Sequence, residues 1–202
     1  NYLTPFGETR TDRDFVRGLQ DRVGPGTFSA GDFGHKIEHS IEFQTLFLRH
    51  YLGDTPIVPI LCGGIHEFLL SQRSPFGDGR FSGFVEAVRE EAARRRRVLF
   101  VAGVDLSHVG LKFGDGAPAE SILPRAHASD RRILDRLLAG DGPSIYAHAA
   151  ETGDSYKVCG LPALLVIAEL LKGKPGMLLD YQTYREPATS SAVTYAAAMF
   201  AD

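Results

Sequence analysis

Apolar positions along the chain fall into two patterns, short continuous runs and one-face periodicities, whose alternation predicts an α/β protein. Residues 98–104 (VLFVAGV) form a continuous run that leads into Asp105, Ser107 and His108 and then Gly110. Such a run fits a strand covered on both faces, as in a parallel sheet. Residues 56–62 (PIVPILC), stopped by Gly63 and Gly64, read as a second strand of this kind. Between them, Phe81, Phe84, Val85, Val88 and Ala92 share one face of a helix predicted over 79–97. Strand, helix and strand make one βαβ unit, which should cross over right-handed.

The rest of the chain is organised around that unit. Residues 1–31 are punctuated by Pro5, Gly7, Gly24, Pro25 and Gly26 and read as loop, with a short helix around 12–21. Ile37, Ile41, Leu48 and Leu52 recur at helical steps beside Phe47 and Tyr51, predicting an amphipathic helix that ends at Gly53. Residues 110–119 read as a mobile, glycine-rich loop, before a helix over 124–139 closed by Gly140. Asp141 opens a short helix, and a further one starts near Pro162 and stops by Gly173. Residues 177–185 and 192–200 read as two final strands. The expected architecture is a single α/β domain over 1–202, a mixed or parallel sheet flanked by helices.

Composition narrows the class without naming a function. Apolar content of 44%, charged content of 23% and a formal charge of -3 over 202 residues describe an ordinary globular protein, with no nucleic-acid or membrane surface expected. The run Arg94, Arg95, Arg96 and Arg97 suits a helix C-terminus, where cations meet the negative end of the dipole. Cys62 and Cys159 are too few for a disulfide framework, so the expected compartment is the reducing cytoplasm. The most apolar segment, 158–171, is interrupted by Glu169 and falls short of the roughly 18 residues that suggest a membrane span.

Three groups of residues could carry chemistry. Asp105 and His108, three residues apart at the carboxyl end of a predicted strand, could supply a general acid or base held by its carboxylate. Cys159, just before Gly160 and the helix opened by Pro162, could be a metal ligand, a nucleophile or an inert small residue. Cys62, inside a strand, reads as filler. His35, Glu38 and His39 match the H-x-x-E-H pattern of inverted zincins, which needs one helix through all five residues and a third ligand downstream.

The order of motifs resembles the Memo family, also called AmmeMemoRadiSam system protein B. Tyr2, Thr4, Pro5 and Gly7 look like its YxTPLG segment, and Glu38-His39-Ser40-Ile41-Glu42 like its EHSIE helix start. Val58-Pro59-Ile60-Leu61 with Gly63, Asp105-Leu106-Ser107-His108 with Gly110, Cys159-Gly160 with Pro162, and the stretch 190–197 are similar to its later motifs. The resemblance implies a fold like that of the LigB-type class III extradiol dioxygenases. It also implies a copper or iron site with Cys159 as ligand, His108 in the acid/base position, and Asp105 and His39 lining the pocket. Two further histidine ligands belong to a family segment that precedes the YxTPLG motif, so the N-terminal part of the fold is expected to be missing here. The implied function is redox or dioxygenase-like chemistry on a small molecule. The alternative is an inactive scaffold that binds a peptide, small ligand or partner protein. The family's system name further implies a radical SAM partner.

Overall fold

The computed structural model describes residues 1–24, 26–29, 31 and 33–201. Its elements are, in chain order, β1 (Tyr2–Thr4), β2 (Gly7–Thr9), α1 (Arg13–Arg22), α2 (Gly34–Ile37), α3 (Ser40–Leu52), α4 (Ile65–Ser71) and α5 (Gly79–Ala93). There follow β3 (His108–Gly110), α6 (Ala119–Leu138), α7 (Gly142–Thr152), α8 (Leu161–Leu170), β4 (Gly176–Glu186) and β5 (Ser191–Phe200). The mixed α/β class expected from the sequence holds. The chain divides into two compact units, Asn1–Cys62 with Phe76–Gly103, and Gly63–Pro75 with Val104–Asp202. Pro25, read as loop punctuation, lies outside the described residues.

The first unit is built on α1 and α5. Asp12 caps α1 by accepting from the Phe15 N–H at 2.9 Å, and the helix buries Phe15 and Leu19. Helix α5 buries Phe84, Val85 and Val88, the face read from the sequence. It also buries Glu91, which ion-pairs with Arg22 at 2.7 Å, Arg94 at 3.2 Å and Arg95 at 2.5 Å. Two of the four consecutive arginines are therefore anchored on a buried carboxylate at the end of α5. The hairpin of β1 and β2 was not anticipated in a stretch read as loop; it pairs Tyr2 with Thr9 and Thr4 with Gly7.

The two apolar runs of this region do not become strands. Residues 56–62 contribute one parallel bridge, between Ile57 and Thr11. Residues 98–104 join no ladder among the described residues, and Leu99 is 68% exposed. The βαβ unit and its crossover are therefore not formed. An apolar run specifies burial, whereas a strand also needs a backbone partner for its N–H and C=O groups. The apolar face of α3 likewise stays largely open, with Phe47, Tyr51 and Leu52 exposed and Thr45 the buried position. Gly53 ends the helix as read, at φ 67°.

In the second unit an antiparallel sheet of order β3-β5-β4 carries the chain's most regular pairing. The β4–β5 hairpin runs from Gly176 opposite Phe200 to Glu186 opposite Ser191, with an irregularity between Leu178 and Asp180. Helix α6 lies on this sheet and closes a core of Val109, Ala119, Leu123, Ala126 and Ala192. It begins at Ala119, five residues before the expected Pro124, which lies inside it. The proline removes only the bond to the exposed Glu120 carbonyl one turn back, so the first turns tolerate it. The stretch 110–119, read as mobile, is tied down: the Asp115 carboxylate accepts from the Gly110 N–H at 2.7 Å and the Ala119 N–H donates to Ser190 O at 2.9 Å.

Candidate metal and acid/base site

The site lies in the second unit, where the turn before β3 meets the loop after α7. The turn before β3 supplies Asp105 and His108, and β5 fixes it through its backbone: Leu106 N–H donates to Thr194 O at 2.8 Å, and Thr194 N–H to Ser107 O at 2.9 Å. Leu106 and Ser107 are buried under the turn, while Asp105 is exposed and His108 half-buried. The loop after α7 supplies Cys159. That loop turns through Gly153 at φ 59°, Asp154 at φ 48° and Lys157 at φ 53°. Left-handed backbone is costly for a lysine and persists only where its surroundings demand it.

The demand is visible at His108. Its backbone N–H donates to Tyr156 O at 2.8 Å, and its ring Nδ1 lies 3.1 Å from both Leu106 O and Lys157 O. Carbonyl oxygens only accept, so Nδ1 carries the hydrogen and the neutral ring presents a bare Nε2. Nε2 lies 3.8 Å from Asp105 Oδ2. Phe113 packs edge-on against the ring at 5.0 Å between centroids. Lys157 itself is anchored by an ion pair from Nζ to Asp115 Oδ1 at 2.6 Å.

Cys159 completes the group. One ligand atom each from Asp105, His108 and Cys159 lies within 4.8 Å of the others, the one such cluster of histidine, cysteine and carboxylate side chains among the described residues. Gly160 permits this approach, because a Cβ there would overlap the Cβ and Cγ1 of Val104. Three donors of different softness, one bare imidazole nitrogen, one sulfur and one carboxylate oxygen, suit a transition-metal ion. Burial pushes the neighbouring Asp154 carboxyl above its ordinary value, opposed mainly by the Val158 N–H bonded to it at 3.0 Å.

The other sequence candidates belong to the first unit. There His39 is the exposed residue preceding α3 and packs edge-on against Phe43 at 6.0 Å. The H-x-x-E-H pattern is broken: α2 ends at Ile37, Glu38 is extended at φ -92° and ψ 127°, and its carboxylate accepts from the Ser40 N–H. That bond holds the Glu38 carboxyl below its ordinary value, and His35 Nδ1 is engaged at 3.0 Å with Tyr2 Oη. The zincin arrangement is thereby excluded. Cys62 behaves as filler, with burial pushing its thiol up to about 11.

Sequence reasoning missed Asp130. It is fully buried in α6, where Ser107 Oγ donates to Oδ1 and Thr194 Oγ1 and Tyr181 Oη donate to Oδ2, each at 2.6 Å. The signal was present: 130 falls on the apolar face with Leu123, Ala126, Ile133 and Leu137, a place a carboxylate occupies only when it is bonded.

Comparison with known proteins gives these residues a family. The family described as Memo-like protein matches residues 1–199. A MEMO1 family protein of Aquifex aeolicus is 28% identical over 98% of this chain and 49% of its own length. One from Methanococcoides burtonii is 29% identical over 89% of this chain and 60% of its own, and one from Thermus thermophilus 27% identical over 95% and 53%. The chain thus spans about half the length of these curated relatives. No helix among the described residues is long and apolar enough to cross a membrane. With its motifs, its mixed α/β fold and a match along almost all of its length, the chain belongs to the Memo-like protein family.

Proposed function

We propose that this chain forms part of a redox-metal pocket that takes copper or iron and acts on a small oxidisable molecule. The observation that supports it is the convergence of Cys159, His108 and Asp105 within 4.8 Å at an open surface. Cys159 supplies a soft ligand, which favours copper(I) or iron over magnesium or calcium. Bound metal would supply redox and Lewis-acid chemistry to the pocket. With Nδ1 committed to two carbonyls, His108 would offer Nε2 to the metal and hold a proton there only while that nitrogen is not a ligand. Asp105 Oδ2 faces Nε2 at 3.8 Å. Phe113 keeps water from one side of the ring.

The test is an anaerobic titration of copper(I), iron(II) and zinc, in separate cells, into this chain and any longer native polypeptide containing it, each beside Cys159→Ser. Binding at one equivalent that Cys159→Ser abolishes supports the pocket. It then justifies a screen of oxidisable small molecules under oxygen, with His108→Gln as the inactive control. Metal uptake no better than in Cys159→Ser overturns the metal reading and leaves a scaffold that holds a peptide or small ligand. Equal preference for zinc would remove the redox part of the proposal.

A further inference from the structure

We infer that Asp130 is a positioning residue for His108, acting through the turn between them. Its carboxylate is wholly buried and accepts from the hydroxyls of Ser107, Thr194 and Tyr181 at 2.6 Å each. Charge-assisted bonds of that length are the strong kind. Each hydroxyl spends its one hydrogen on the carboxylate, so its lone pairs point elsewhere in a fixed direction. For Thr194 that direction is the Ser107 N–H, which donates to Oγ1 at 2.8 Å.

Ser107 is thereby held at three points: its side chain on Asp130, its N–H on Thr194 Oγ1, and its carbonyl on the Thr194 N–H at 2.9 Å. The residue before it offers Leu106 O to His108 Nδ1, and the residue after it is His108. The plane of the turn, set at Ser107, decides whether that carbonyl meets the imidazole. Asp130 therefore acts, through Ser107 and without touching the ring, on Leu106 O, one of the two carbonyls that fix the His108 tautomer, the other being Lys157 O. An asparagine in its place offers one accepting oxygen and two N–H donors, and cannot receive all three hydroxyls.

The orientation of His108 is independent of any metal. Its effect on metal affinity rests on the metal-pocket reading. The experiment separates them by recording imidazole nitrogen NMR spectra of the metal-free protein, with His108 identified by the signals lost in His108→Gln. Wild type, Asp130→Asn, Ser107→Ala and Tyr181→Phe are compared. Tyr181→Phe takes one donor from the same carboxylate and leaves Ser107 in place. Wild type and Tyr181→Phe should show His108 with hydrogen on Nδ1, while Asp130→Asn and Ser107→Ala show a mixture of tautomers. Copper(I) affinity should fall about 10- to 100-fold in the last two and change less than about threefold in Tyr181→Phe.

Ser107→Ala keeps the test open if Asp130→Asn fails to fold. An unchanged tautomer in both variants overturns the inference, as does an equal change in Tyr181→Phe. A tautomer shift in Asp130→Asn and Ser107→Ala, with no copper bound by the wild type, upholds the positioning role and removes the metal reading alone.

Discussion

The stretches around His35 and around His108 hold similar chemistry, two histidines and a glutamate in one, a histidine, an aspartate and a nearby cysteine in the other, yet only the second brings its donors to one point. In the first, a backbone break at Glu38 ends the helix before His39 is reached. Glu38 and His39 turn to the nearby Ser40 and Phe43, and only the His35 ring reaches a distant partner, Tyr2, which does not hold the backbone at the break. In the second, partners come from far along the chain: Thr194 is 87 residues from Ser107, and Lys157 is 49 from His108. Spacing along a sequence suggests a site only where something distant holds the segment in shape.

Leucines 99 and 106 give the sharpest way to break this comparison, since they stand in one stretch that read as strand and hairpin. Leu106 is 2% exposed and Leu99 68%. Leu106→Ala should cost about 2–5 kcal/mol in a denaturant titration, and Leu99→Ala less than about 0.5 kcal/mol. Similar losses would mean that residues 98–104 are buried in solution after all.

Glycines sharpen it next. Gly160→Ala forces a methyl group into Val104, so it should destabilise by about 1–3 kcal/mol and weaken metal binding through Cys159. Gly83→Ala, in α5 with nothing within 4 Å of a new Cβ, should stabilise by up to about 1 kcal/mol. Thermal melts of the two variants should move in opposite directions.

A smaller effect is expected from pH. The Asp154 carboxyl is raised in the folded state, chiefly by burial. The folded protein therefore holds this proton when the unfolded chain has lost it, and the group's contribution falls as pH rises from the unfolded value of 3.8 towards the raised folded one. Asp154→Asn keeps an acceptor for Val158 and tolerates the left-handed backbone at φ 48°. It should flatten the stability profile over that window, and at pH 7 be at least as stable as wild type. The least effect should come from Glu38→Gln, which should leave metal uptake unchanged; a loss of metal there would reinstate the first histidine stretch.

What was legible in the sequence was whatever local rules decide. The β4–β5 hairpin followed from two apolar stretches and a proline between them, and the helix after Asp141 from its cap, whose carboxylate accepts from the Ser144 N–H. The Asp105, His108 and Cys159 group was legible as separate pieces from the residue types and, for Cys159, from the helix start that follows it, although the strand expected to end at Asp105 is not formed and Asp105 and His108 sit on the turn into β3. The strand at 98–104 was misread because apolarity says nothing about which backbone will pair with it. Asp130 escaped because its partners lie 23, 51 and 64 residues away, beyond any pattern of neighbours.

The register of β5 has a consequence for the order in which the molecule assembles. Its pairing with β4 closes a short connection, from Glu186 to Ser191, and hairpins of that kind form in about 1–10 μs. Its pairing with the His108 turn must wait for partners 87 positions apart, Ser107 and Thr194, to be brought together. The imidazole and thiol therefore meet late, on a sheet already half built, and amide exchange should find the Ser107 N–H released before those of the hairpin beside it.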